Sequence, residues 1–470
     1  MTKQQVSYFT QSSEITAVEH MRIFGPLHYA GIKVTKGIVN GNLDFASIEG
    51  SQAYIFQRDF PKHLSIYRTI LREAESNNIP LILDLDDNLL ILPKEHPDRI
   101  SGYYSKSLVP LIHALYRVDA VFVTNENLAN FFSTYNKQIY VLPNYLDEKV
   151  WNPMEIDRST EDPLELLFMG TSTHTPDLLS LTGVFNELST KFPNIRLVTV
   201  GIEPPDRVKQ VINTKHVLKL SDNYAEFAQK FQSIGGSIAI APLVVNDFNR
   251  GKSPLKYFEY SAVGLPAVYS NTEPYSRVIQ HGETGLLAKS DQEWLDQLEK
   301  LINDGDLRKN IAKRAQQDVY GNWNMKDHAQ KWTTALDSIT KLSKQDKKVS
   351  NTFLSDLMNV NEQLLEWSDM QDKERESWKS NIQRLKDDLS RLSEVALSLE
   401  AKKDDLDREL ENLRCNNQSL LSEKDDLTHD LENARHQNQS LLLEINKYVT
   451  SSSWKITRPI RKIVKKIRGY

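Results

Sequence analysis

Between Asn246 and Ser270 the chain reads Asn-Asp-Phe-Asn-Arg-Gly-Lys-Ser-Pro-Leu-Lys-Tyr-Phe-Glu-Tyr-Ser-Ala-Val-Gly-Leu-Pro-Ala-Val-Tyr-Ser, and His281-Gly-Glu-Thr-Gly-Leu-Leu-Ala288 follows shortly after. Lys252, Ser253 and Lys256 fall at the start of the helix this pattern predicts. A helix start collects anions through its free N–H groups and its dipole, so a diphosphate suits it. Lys256 and Glu259 are three residues apart and share one helix face. Glu259, one turn inside, is placed to accept hydrogen bonds from the vicinal hydroxyls of a ribose; the alternative is an ion pair with Lys256 or Lys252. Gly264 ends the helix, Pro266 opens a strand, and Gly282 and Gly285 supply a close turn. A second cluster, Asp84, Asp86 and Asp87, ends the apolar run Leu81-Ile-Leu. Its carboxylates could bind sugar hydroxyls, grip a divalent cation, accept a proton, or cap a following helix.

The elements that carry these residues are α/β in texture. Apolar runs at Pro80–Asp84, Ala120–Thr124, Leu164–Gly170, Arg196–Gly201 and Ser237–Pro242 alternate with helix-length segments. That is the pattern of parallel strands covered on both faces. The expectation is two doubly wound, Rossmann-like domains at 1–155 and 156–345, with a seam between Pro143 and Pro163.

On those residues, the chain resembles retaining glycosyltransferases of the GT-B fold, in particular the large family four of bacterial nucleotide-sugar transferases. Glu259-x-x-x-x-Gly264-x-Pro266 followed by Gly282-x-Thr-Gly-Leu-Leu287 carries the likeness, with support from Val141-Leu-Pro-Asn144 and Asp304-Gly-Asp-Leu-Arg308. It extends over about residues 15–340. The resemblance implies an acceptor domain, a donor domain, return helices containing Trp323 and Trp332, and transfer with retention at the anomeric carbon. It makes Glu259 the acid that holds the donor ribose. Two positions depart from the pattern. The family's second Glu, which contacts the transferred sugar, is replaced by Gly251, and the usual Arg and Lys of the first donor loop are absent from Met169-Gly-Thr-Ser-Thr-His-Thr-Pro-Asp177. Positive charge for the leaving diphosphate then falls to Lys252 and Lys256, with Arg250 behind them. Gly170 and Thr171 offer backbone N–H groups, while His174 either faces the sugar or caps the next helix.

Asp84-Leu-Asp86 also nearly matches the nucleophile motif of haloacid dehalogenase phosphatases, with Asn88 in the Thr position, and the Asp-x-Asp metal site of GT-A transferases. The preferred reading puts Asp86 and Asp87 in the interdomain cleft, binding sugar hydroxyls or taking the acceptor proton. Arg22 and Gly25-Pro-Leu27 resemble the family's first acceptor-side loop.

The chain has 470 residues, 39% hydrophobic and 26% charged, with a net charge of −5. No run reaches the roughly 18–20 apolar residues of a membrane span. Met1–Thr10 lacks a signal-peptide core and Cys415 is the single cysteine, which together predict a cytoplasmic protein. From 350 to 450 prolines and glycines vanish, and Leu385, Leu392, Leu399, Leu406, Leu413, Leu420 and Leu427 repeat every seven residues. Asn417 and Asn438 fall at the paired a positions. A parallel, two-stranded coiled coil from Ile382 to Tyr448 is expected, making a homodimer. The last segment, 451–470, carries seven basic side chains and no acid, leaving −12 for the rest. Trp454, Arg458, Arg461, Lys462, Lys465 and Lys466 surround an Ile face, as in a helix lying on an anionic membrane surface. Ser452–Arg461 resembles a segment at the ends of bacterial polysaccharide transferases. In basic-zipper proteins the basic helix precedes the coil, and here it follows, which argues against nucleic acid.

The combined expectation is a metal-independent hexosyl- or deoxyhexosyltransferase for surface polysaccharide, such as O-antigen. It would take a nucleotide diphosphate sugar as substrate, need no cofactor, act on a lipid-linked glycan, and lie at the inner face of the cell membrane. The alternative is a catalytically weak scaffold that organises or measures a polysaccharide assembly.

Overall fold

The computed structural model describes residues 4–10, 15–153, 164–217, 221, 223–234, 236–341, 351–412 and 428–444. The chain divides into two compact units, Met1–Met358 and Asn359–Tyr470.

The first unit holds two six-stranded sheets. In the first sheet the strands are β1 (Gln5–Phe9), β2 (Lys33–Lys36), β3 (Ala53–Gln57), β4 (Leu81–Leu85), β5 (Ala120–Val123) and β6 (Ile139–Val141). They lie in the order β2-β1-β3-β4-β5-β6, every pair parallel. Central strands such as Ala53–Gln57 and Leu81–Leu85 are buried at every residue, because helices cover both faces. One face packs Tyr54, Phe56, Leu83 and Val121; the other packs Ile55, Ile82 and Phe122.

The second sheet comprises β7 (Glu165–Met169), β8 (Arg196–Val200), β9 (Asn213–Val217), β10 (Ile238–Ala241), β11 (Ala267–Ser270) and β12 (Leu286–Ala288). Its order is β9-β8-β7-β10-β11-β12, again parallel throughout. Both sheets are doubly wound and Rossmann-like. Each reverses its order once, between β1 and β3 in the first and between β7 and β10 in the second, and such switch points open crevices at the carboxyl ends of strands. The helix Gln330–Thr340 returns to the first sheet, where Trp332, Ala335, Leu336 and Ile339 join Ile55 and Phe122.

In the second unit, helix runs through Asn412 and again over 428–444. The heptad reading of one uninterrupted rod needs correction here. Arg435 pairs with Glu400, 35 residues earlier. A straight helix would hold them about 50 Å apart, so the second helix returns alongside the first. Leu385, Leu392 and Leu399 lie on the first helix and are half-exposed. Leu413, Leu420, Leu427, Tyr448 and the whole basic tail, with Trp454, Arg458, Arg461, Lys462, Lys465 and Lys466, lie outside the described residues. Among the described residues no helix is long and apolar enough to cross a membrane.

Candidate active site

The helix Leu255–Ala262 follows the loop after β10, beside the switch point of the second sheet. Pro254 precedes it, and no side chain caps its first N–H groups. Gly264 stops it at φ +67°, a left-handed conformation that glycine adopts at no steric cost. The chain then enters β11, as the Gly-x-Pro pattern predicts.

Lys256 and Glu259 are both buried, on the predicted common face. Burial pushes the Glu259 carboxyl up to about 8, with Lys256 opposing it. Burial likewise brings the Lys256 amine down to about 8, where Lys252 adds to the effect and Asp177 opposes it.

Across from this helix, the loop after β7 carries Gly170, Thr171 and His174. A Cβ on Gly170 would meet the His174 ring at 3.2 Å, so the loop closes tightly there. His174 neither caps a helix through its side chain nor stands alone. Its Nδ1 lies 2.7 Å from Asp177 Oδ2, and a carboxylate only accepts, so Nδ1 carries the proton. Asp177 is held in turn by the Val244 N–H at 2.7 Å. That tautomer leaves Nε2 unprotonated, and Lys256 Nζ lies against the ring, 3.2 Å from Nε2 and 3.4 Å from Nδ1. Burial and Lys256 bring His174 down to about 4, so the ring is neutral. Asp177 therefore fixes His174, and His174 fixes Lys256. Thr171 Oγ1 turns to Thr173 Oγ1 at 2.8 Å. Ser253 Oγ accepts from Asn144 Nδ2 of the first domain at 3.1 Å, and Lys252 Nζ stands 4.6 Å over the Phe248 ring.

The first domain supplies the three aspartates at the end of β4, and the structure separates them. Asp84 is fully buried against fully buried Arg22. Arg22 donates from Nη2 at 2.7 Å to Oδ1 and from Nε at 3.2 Å to Oδ2, and its Nη1 donates to the Leu142 carbonyl and to Asn144 Oδ1. Both Asp84 oxygens are thus occupied. The phosphatase reading and the Asp-x-Asp metal reading both need that carboxylate open, and Arg22 is a structural clamp instead of an acceptor-side contact. Asn88 caps the short helix beyond the strand by accepting the Leu90 N–H at 3.2 Å, which assigns the capping role to it and not to Asp87.

Asp86 and Asp87 flank Arg58, at 3.2 Å and 3.6 Å. Burial pushes Asp86 up, with Arg58 opposing and Asp87 and Asp84 adding to the rise. Burial also acts on Asp87, but Lys252 and Arg58 outweigh it and hold that carboxyl below its ordinary value. Lys252 belongs to the second domain, so Asp87 feels a cation from across the seam. Two adjacent carboxyls driven in opposite directions are the usual mark of distinct acid and base roles.

Arg58 escaped the sequence reading. It directly follows β3 at φ +50°, an uncommon conformation for a residue with a side chain. Its visible signal was a cation at the carboxyl end of an apolar strand. The buried Arg58 Nε and Asp86 Oδ1 face each other without a well-formed hydrogen bond.

Residues 151–318 match the family described as glycosyl transferases group 1. A curated relative, N-acetyl-alpha-D-glucosaminyl L-malate synthase of Bacillus anthracis, is 23% identical over 194 residues, 39% of this chain and 50% of that protein. The chain thus spans about half the length of that relative. Among solved structures, sucrose-phosphate synthase of Thermosynechococcus elongatus superposes with a TM-score of 0.53 at 12% identity, covering 73% of this chain and 100% of that one. HepE of Anabaena, solved with UDP and glucose, gives a TM-score of 0.50 at 13% identity over 71% of this chain and 100% of that one. These two likenesses show the shared two-domain fold.

Proposed function

We propose that this chain, which carries a glycosyl transferase group 1 domain over residues 151–318, moves a sugar from a nucleoside diphosphate donor to a glycan acceptor, with retention at the anomeric carbon. The observation that carries this reading is the meeting of two sets of groups at the strand ends. Lys256, fixed by His174 and Asp177, stands with Glu259 on the donor side. Asp86 and Asp87 stand with Arg58 on the other. UDP-bound HepE shares the fold and supports a nucleotide-sugar donor.

In this arrangement Glu259 takes the ribose hydroxyls; a carboxyl titrating near 8 is largely protonated at neutral pH and both donates and accepts. Lys256, Lys252, Ser253 and the free N–H groups of the helix Leu255–Ala262 hold the diphosphate, with Gly170 and Thr171 closing its other side. As the bond from the anomeric carbon to the phosphate oxygen breaks, its electron pair leaves with the diphosphate. These preorganised donors and charges then stabilise the departing group. The acceptor oxygen forms the new bond and gives up its proton to Asp87, the carboxyl held ionised.

A test follows from the Lys256 amine. Diphosphate binding needs its protonated form, which is present below about 8 and lost above it. Titration with UDP, GDP, ADP and CDP between pH 6 and 9.5 should give an affinity that declines roughly tenfold per unit above that value. A flat profile would remove Lys256 from the diphosphate site.

The reading extends to the acceptor and the surroundings. A second copy pairs along Ile382–Leu399, where the heptad leucines are half-exposed. The basic tail holds the pair on an anionic inner-membrane surface, where a lipid-linked glycan is the natural acceptor. The chain ending at Ser453 should still sediment as a dimer, but lose flotation with phosphatidylglycerol liposomes. Unchanged flotation would refute the anchor, and a monomer would refute the pairing.

A further inference from the structure

The position where the resembled family has its sugar-contacting acid is here Gly251, and the structure shows what stands against it. Gly251 is the C-cap of the short helix Asp247–Arg250, at φ −82°, a conformation any residue can adopt. The constraint is therefore one of space. A Cβ there would lie 2.8 Å from Cδ2 of Leu128, a buried side chain of the first domain.

Around this contact, three asparagines of the first domain reach across the seam. Asn125 caps the helix Glu126–Phe132 by accepting the Leu128 N–H through Oδ1 at 3.1 Å. Its Nδ2 donates to the Gly251 carbonyl at 2.7 Å, with Lys252 O at 3.4 Å. Asn127 Nδ2 donates to the Arg250 carbonyl at 2.8 Å and also to Glu273 Oε2. Asn144, itself held by Arg22, donates to Ser253 Oγ at 3.1 Å. The His96 and Phe248 rings meet edge to face at 5.4 Å beside them. The segment 250–253, which delivers Lys252 and Ser253 to the helix Leu255–Ala262, is thus gripped mainly through its carbonyls, which a side chain at 251 would push away.

We propose that Asn125 and Asn127 are positioning residues: they dock the backbone of Arg250, Gly251 and Lys252 against the first domain and so set Lys252 and Ser253 for the donor diphosphate. Position 251 is consumed by this docking and makes no contact with the transferred sugar. The inference rests on the donor-site reading above.

The double variant Asn125→Asp, Asn127→Asp tests it. Asp caps a helix as Asn does, and acids suit the first helical turn, so the helix Glu126–Phe132 keeps its support while both side-chain donors to the carbonyls are lost. Affinity for the tightest-binding of UDP, GDP, ADP and CDP should fall about tenfold, the scale of two lost hydrogen bonds. Amide hydrogen exchange over 248–256 should speed up, while exchange in the core strands Leu81–Leu85 and Ile238–Ala241 stays as in the wild-type chain. Gly251→Glu, which restores the family's residue, should lower donor turnover and not raise it. Unchanged nucleotide affinity and unchanged exchange in the double variant, or a gain of turnover with Gly251→Glu, would overturn the docking role. If the wild-type chain binds none of the four nucleotides, the donor-site reading fails instead. The exchange measurement then decides the docking alone: faster exchange upholds it and unchanged exchange ends it.

Discussion

Asp84→Ala should cost the first unit about 3–5 kcal/mol of stability, read as a lowered urea midpoint with little change in slope. The size follows from where the carboxylate lies. Arg22 and Asp84 are both completely buried, and the guanidinium spends two of its three nitrogens on this one carboxylate. Removing it leaves a positive charge in the core with no carboxylate on it, held by the Leu142 carbonyl, Asn144 and the Trp332 ring face. The damage spreads, because the Arg22 carbonyl accepts from Trp332 Nε1 at 3.1 Å and so ties the returning helix to the first domain. Replacing both partners, Arg22→Met with Asp84→Leu, should recover much of the loss, since an apolar pair leaves no uncompensated charge. A variant that kept full stability but lost a hydrolytic activity would revive the phosphatase reading of Asp84.

Lys256→Met carries the opposite signature. Turnover should fall about 10²–10³-fold, the usual consequence of removing one preorganised charge from a developing anion. Stability should rise. The amine titrates near 8 when folded, below its ordinary value of 10.5, because burial disfavours its charge. From about 8 to 10.5 the unfolded chain binds the proton that the folded chain has released. This group therefore makes stability increase with pH across that window, and below it weighs against folding. Glu259 is displaced the other way, so its contribution is full below 4.5 and declines toward 8. Both groups oppose folding at neutral pH, in opposite pH directions, and both stand where the substrate's charge and hydroxyls are expected. Such trade-offs between stability and activity are characteristic of working sites. A Lys256→Met chain that was less stable and fully active would contradict the assignment.

Much of this was legible along the chain because the signals are local. The run Leu81–Leu85 read as a buried strand, Gly264 as a helix stop, and Lys256 with Glu259 as one face, since each depends on residues only a few positions apart. What escaped depends on distant partners. Asp84 looked like chemistry until Arg22, 62 residues earlier, occupied it. Asn125 drew no reading from the sequence, because the Gly251 carbonyl it holds lies 126 residues away. Gly251 read as a missing acid, whereas its neighbour Leu128 makes it a point of close approach. His174 left two roles open, and the structure removes the helix cap while setting the ring between Asp177 and Lys256. The heptads predicted helix correctly over 382–412, but a periodic pattern carries no information about the side on which the next helix returns.

Nucleotide release is the most immediate readout of a donor site built on Glu259 and Lys256. Purified chain would be incubated with UDP-, GDP-, ADP- and CDP-linked sugars, alone and with a membrane lipid extract as the acceptor source. Release from one donor class is expected, stimulated by the extract and reduced at least about 10²-fold by Glu259→Ala. Release from no donor, or release that Glu259→Ala leaves unchanged, would contradict that assignment.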